Sequence, residues 1–133
     1  MKEANDIVGK QGFSKQERLS SKKEIDALFT KGASFHLYPF SLKFLPQEKA
    51  DASVHQILIS VSKRRFKKAV DRNHIKRLIR EAYRLNKHLI SDLDPYLSIA
   101  YIYTAKEVQS FAFIQKKLIA SLNRLLAKFE KEV

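Results

Sequence analysis

The sequence predicts an α+β protein, a two-layer α/β sandwich with the element order αββαβα, and three observations carry that expectation. Residues 55–62 (HQILISVS) and 96–104 (YLSIAYIYT) alternate apolar side chains on a β-branched and aromatic background, the pattern of strands with one buried face. Between them apolar residues recur at helical spacing, so the passage reads as a βαβ unit, whose crossover is right-handed by default. Phe111, Ile114, Leu118, Leu122, Leu125 and Phe129 then follow at intervals of three and four, marking a closing amphipathic helix.

Taken in order, residues 1–17 are polar, hold two of the three glycines and show no sustained periodicity. They are expected to form a flexible tail ahead of a single domain spanning residues 18–133. Ile25, Leu28 and Phe29 mark a short helix, with Ser20 or Ser21 as N-cap and Gly32 as its stop. Phe35 and Leu37, then Phe40, Leu42 and Phe44, alternate on either side of Pro39, which reads as one strand with an interruption or an edge position. Residues 46–53 form a polar loop, a long helix runs from Val70, and residues 91–95 turn the chain into the second confident strand. There is no internal repeat and no low-complexity tract.

The 133 residues suit one domain large enough to bury a core without disulfides, and 44% hydrophobic against 30% charged residues argues against wholesale disorder. The formal net charge of +12 is the unusual quantity, since an excess of that size implies a partner of opposite sign. Cysteine is absent, which excludes a disulfide framework and a thiolate nucleophile and limits metal ligands to His, Asp, Glu and backbone oxygens. No apolar run approaches the roughly 20 residues that span a bilayer, and the first residues lack a signal-peptide core. The expectation is a soluble cytoplasmic protein.

The charge is concentrated and ordered. Residues 63–87 hold eleven Lys or Arg in twenty-five positions, opposed only by Asp71 and Glu81. Wound as a helix, the part from Val70 gathers Arg72, Lys76, Arg77, Arg80, Arg84 and Lys87 on one arc, with Asn73 among them. The opposite arc holds Ile75, Leu78, Ile79, Ala82, Leu85 and Leu89. Ahead of it, Lys63, Arg64, Arg65, Lys67 and Lys68 fall in a loop and at the helix start, where the positive helix end also favours phosphate. A solvated helix face normally carries both signs, so a nearly one-signed face points to nucleic acid. Basic amphipathic helices also lie on anionic membranes, but the apolar arc here lacks Trp and Phe and has the form of a core-facing stripe.

Catalytic patterns are thin: no nucleophile elbow, glycine-rich phosphate loop or metalloprotease motif occurs, and His36, His55, His74 and His88 are scattered. Asp92 and Asp94 suit a turn ending in Pro95. Tyr101, Tyr103 and Phe111 are core aromatics unless a face of the sheet is left open for base stacking.

At KKAVDRNHIKRLIREAYR the chain resembles the protein subunit of bacterial ribonuclease P, whose signature is an Arg-Asn-Arg element followed by Lys-Arg and a later Arg. Here those positions are Arg72, Asn73 and His74, then Lys76, Arg77 and Arg80. The strand end SVSKR, Arg18-Leu19, and the turn FTKGAS at Phe29 to Ser34 are similar to the family as well, over residues 18–129. The resemblance implies a ribosomal S5 domain 2-like sandwich with a left-handed βαβ crossover. It implies that a catalytic RNA subunit performs Mg²⁺-dependent removal of the 5′ leader from precursor tRNA, while the protein binds that RNA and the leader. It places RNA contacts at Arg72, Asn73, Lys76, Arg77 and Arg80, and a leader cleft at Ile25, Phe29, Phe40, Leu42 and Ser60. His74 stands in place of the family's Arg, and Ile25 where the first helix often has Phe.

Three rivals share parts of this pattern. A general RNA-binding or ribosomal protein would carry the same basic face without a processing role. A DNA-binding helix-turn-helix module needs a helix just before the basic one, where this chain supplies a strand. A stand-alone nuclease would need converging carboxylates for Mg²⁺.

Overall fold

Strand alternation and helix periodicity together decide which side chains meet in the core. The computed structural model describes residues 12–130. Its helices are α1 (Lys22–Lys31), α2 (Ala69–Asn86) and α3 (Phe111–Phe129), and its strands β1 (Ala33–Leu37), β2 (Phe40–Pro46), β3 (Gln56–Val61) and β4 (Leu97–Tyr103). They form one four-stranded sheet in the order β1-β2-β4-β3. β1–β2 and β2–β4 pair antiparallel, whereas β3 and β4 run parallel with α2 as their connection.

The element order is therefore αβββαβα, one strand more than expected. Pro39 does not interrupt a strand. Tyr38 and Pro39 form the turn of a hairpin in which Leu37 pairs with Phe40 and Ala33 with Phe44. Pro cannot donate to a ladder, so the chain reverses where continued pairing would fail.

One strand parity packs against α2 and α3. Phe35, Phe40, Leu42, Phe44, Ile57, Val61, Leu97, Ile99, Tyr101 and Tyr103 are buried there with Ile75, Ile79, Tyr83, Ile114, Leu118 and Leu122. Tyr101 and Tyr103 are thus core residues, and the Tyr101 hydroxyl is satisfied by Ser121 Oγ at 2.6 Å. The other parity faces α1, where Leu19, Leu28 and Ala100 make a smaller cluster with Ile25, Leu45 and Leu58 packed on it. α1 starts at Ser21, whose side chain accepts from the Glu24 amide, and ends at Gly32. That glycine has φ −71°, so its role is space: a Cβ would stand 2.4 Å from the Leu28 carbonyl oxygen.

Part of the expected tail belongs to the domain. Phe13 packs edge-on against Tyr83 with ring centroids 6.0 Å apart, Lys15–Glu17 form a 3₁₀ turn, and Arg18 makes a parallel bridge to Ile57 at the edge of β3. Glu17 is buried and ion-paired to Lys87 at 2.8 Å. The expectation of a tail over residues 1–11 lies outside the described residues.

His55 ties the start of β3 to the segment before β4. Its Nδ1 accepts from the Leu97 amide at 2.9 Å, so Nε2 carries the proton and donates to the Ile90 carbonyl at 2.8 Å. Burial holds its pKa below the ordinary 6.5, although the Ile90 hydrogen bond acts in the opposite direction. A group whose folded pKa is depressed supports the fold fully above its unfolded pKa and loses that support as pH falls below it, because the unfolded chain binds the proton first. Denaturant melts at pH 7.5, 6.5 and 5.5 are expected to show falling stability below about 6.5, with that slope reduced in His55→Gln.

Candidate nucleic-acid interface

The basic loop is held by its own backbone. Phe66 is buried against Tyr103, the Phe66 amide donates to the Ser62 carbonyl at 3.1 Å, and Ser62 Oγ accepts from the amides of Arg64 and Arg65. With Phe66 as the anchor, Lys63, Arg64, Lys67 and Lys68 are left exposed. Arg65 is also exposed, but its guanidinium donates to the Thr104 carbonyl.

α2 buries Ile75, Ile79, Ala82 and Tyr83. The buried stripe is turned toward Tyr83 relative to the expected apolar arc, and Leu85, expected inside, is 36% exposed. Asn73, His74 and Arg77 stand outward, and Lys76 and Arg80 flank them half-buried. None of Lys63, Arg64, Lys67, Lys68, Lys76, Arg77 and Arg80 is ion-paired among the described residues.

Three of the expected cations do internal work instead. Arg72 donates to the carbonyls of Phe66 at 2.7 Å and Lys67 at 3.0 Å, so it braces the basic loop across the first turn of the helix. Arg84 pairs with Glu81, and that hydrogen bond holds the Glu81 carboxyl below its ordinary pKa. Lys87 lies beyond the α-helix and is taken up by Glu17 and the Gly12 carbonyl. The one-signed arc is therefore shorter than expected and centred on the first three turns of α2.

Two contributors were not singled out from the sequence. Arg18, fixed by its bridge to β3, shares with Lys76 and Arg80 a groove of about 350 Å³ floored by Ile57, Leu58 and Ile59. Lys43 lies over the Phe29 ring at 5.9 Å on the α1 side of the sheet. Strand parity was the available signal for Lys43, because it alternates with Leu42 and Phe44.

The same parity corrects the expected cleft. Phe40 and Leu42 are 1% and 0% exposed on the face covered by α2 and α3, so neither can line a cleft beside α1. Ile25, Phe29 and Ser60 do lie on the α1 side, with Phe29 40% exposed. Ser41, Lys43 and Ile102 share that parity and are half-buried.

The metal-ligating side chains of the described residues are dispersed. No three of their His, Asp or Glu side chains converge, and the exposed loop and helix face present ammonium and guanidinium groups, which repel a divalent cation. No described helix is long and apolar enough to cross a membrane.

A one-signed helix face on a sheet-backed α/β scaffold, with an ordered basic loop at its start, defines a protein that binds polyanionic nucleic acid. The comparisons give the family. The family model for ribonuclease P matches residues 13–129. The ribonuclease P protein component of Porphyromonas gingivalis is 39% identical over 118 residues, covering 86% of each chain. That of Picosynechococcus is 33% identical over 121 residues, covering 90% of this chain and 95% of the relative. Among solved structures, the RNase P protein from Thermotoga maritima superimposes with a TM-score of 0.68 at 26% identity, over 81% of this chain and 96% of that one. A mutant of the Staphylococcus aureus RNase P protein gives 0.69 at 26% identity, over 84% and 89%. The chain belongs to the ribonuclease P protein family: it is the protein component of a ribonucleoprotein endoribonuclease that matures the 5′ ends of tRNA.

Arg72 and Arg77 are expected to separate. Arg77→Ala should weaken binding to the catalytic RNA, lower the salt slope by about 1 and leave the melting temperature unchanged. Arg72→Ala should lower the melting temperature too, because it releases two loop carbonyls. Filter binding over a salt series with parallel thermal melts checks both; equal melting temperatures would remove the bracing role.

Proposed function

We propose that this chain binds the catalytic RNA through Lys63, Arg64, Lys67, Lys68, Asn73, Lys76, Arg77 and Arg80, and holds the 5′ leader of precursor tRNA in the cleft between α1 and the sheet. The carrying observation is the set of seven cations that have no ion-pair partner among the described residues. Two polyanions must approach for the RNA to act on its substrate, and a rigid cationic surface between them lowers that repulsion. Arg65 and Arg84 add charge to the field, while their hydrogen bonds to Thr104 and Glu81 make them weaker direct contacts.

In this reading the cleft offers Phe29 as a flat group and Lys43 as a phosphate partner, with Ile25 and Ser60 alongside. The protein contributes no general acid or base. Mg²⁺ belongs to the RNA subunit, and the setting is the cytoplasm. His74 lies on the outer face among these cations.

Reconstitution tests the reading. Adding the purified chain to the catalytic RNA should raise cleavage of leader-bearing precursor tRNA at low Mg²⁺, and the chain alone should cut nothing. The double variant Phe29→Ala with Lys43→Ala should weaken binding of leader-bearing precursor about tenfold, as expected for one lost stacking platform and one lost charge contact, while leaderless tRNA is unaffected. Binding to the RNA without any gain in cleavage would favour a general RNA-binding protein.

A further inference from the structure

A second basic surface lies at the far edge of the sheet. α3 carries Lys116, Lys117, Arg124 and Lys128 and no carboxylate, and neither β1 nor β2 contains one. Three of these cations stand over aromatic rings. Lys117 Nζ is 5.6 Å from the Phe113 centroid, the Arg124 guanidinium carbon 4.2 Å from that of Phe35, and Lys128 Nζ 6.0 Å from that of Phe44. They fall in a row along α3 about 16 Å long, at a rise of 1.5 Å per residue.

At the head of the row the hairpin turn projects Tyr38, 54% exposed, edge-on to Phe113 with centroids 6.1 Å apart. Gln109 Nε2 donates to the Tyr38 hydroxyl at 3.3 Å, which holds the side chain beside α3. β1 is the sheet edge opposite β3, so this surface is separate from both the α2 face and the α1 cleft.

From this arrangement we infer that the Tyr38 and α3 surface binds an unpaired segment of RNA, with a base stacked on Tyr38 and phosphates along Lys117, Arg124 and Lys128. A single strand offers flat bases and phosphates together, and a ring flanked by cations meets both without sequence preference. The cations carry no counter-charge from their own helix or from the strands beneath. Bilayer binding needs a larger apolar area than this surface offers, because Phe35 and Phe44 are each only 5% exposed. The chain would then hold RNA at two opposite edges and bridge two segments.

The chain contains no Trp, so Tyr38→Trp places a single, selectively excitable indole at the surface. Titration of this full-length variant with a short single-stranded oligoribonucleotide should quench its emission. Adding Lys117→Ala and Lys128→Ala should weaken that response about tenfold, whereas adding Arg77→Ala should leave it in place. Absence of quenching at saturation, equal loss with Arg77→Ala, or the same response to anionic phospholipid vesicles or a polyglutamate peptide would overturn the inference. If Tyr38→Trp melts below the unaltered chain, anisotropy of the labelled oligonucleotide with Tyr38→Ala and Lys117→Ala decides instead, unchanged affinity counting against the site. Tyr38, Lys117 and Lys128 all lie off the α2 face, so failure here leaves the reconstitution result standing.

Discussion

The structure depends on keeping a strongly self-repelling helix in place. Arg72–Lys76, Lys76–Arg80 and Arg80–Arg84 are like-charged i,i+4 pairs, each costing about 0.2–0.5 kcal/mol. Burial of Ile75, Ile79 and Tyr83 against the sheet returns roughly 1.5–3 kcal/mol per side chain. Packing wins by a wide margin, so the helix can carry its cations outward without neutralising them. That surplus of field is what a polyanion meets.

Around this helix, the cations divide by what their side chains reach. Arg72 and Lys87 lie at its two ends and reach groups of the domain itself, the carbonyls of the basic loop in one case and the buried Glu17 in the other. Arg77 and its neighbours Lys76 and Arg80 form no ion pair with any carboxylate of the described residues. The N-terminal segment contributes on both counts, since Glu17 secures the far end of the helix while Arg18 adds to the groove beside Lys76 and Arg80. Fold and binding surface are thus built by the same segments, which makes their energetics inseparable at Arg72 and separable at Arg77.

Much of this was legible in the residues. Period-two alternation located β3 and β4, three-four spacing located α2 and α3, and Ser21 capped α1 as its type suggests. The hairpin at Tyr38-Pro39 is hidden because both flanks alternate as strand does, and the reversal shows only in the missing donor of Pro39 and in the switch of apolar positions from odd (Phe35, Leu37) to even (Phe40, Leu42, Phe44). Residues 13–17 were read as tail because Phe13 and Glu17 find partners in Tyr83 and Lys87, some seventy positions away, which local periodicity cannot show. Phe40 and Leu42 were assigned to a cleft by resemblance, although their phase with Phe44 already put them on the core side. Hydrogen bonding of Arg72, Arg84 and Lys87 within the domain is tertiary information, and a helical wheel treats all cations alike.

The salt dependence of binding to the catalytic RNA tests the central claim most directly. If the outward cations meet phosphate, the logarithm of the association constant should fall linearly with the logarithm of salt concentration, with a slope of about −4 or steeper for five or more contacts. A slope near zero across 50 to 200 mM salt, a range in which such contacts normally cost orders of magnitude in affinity, would contradict it.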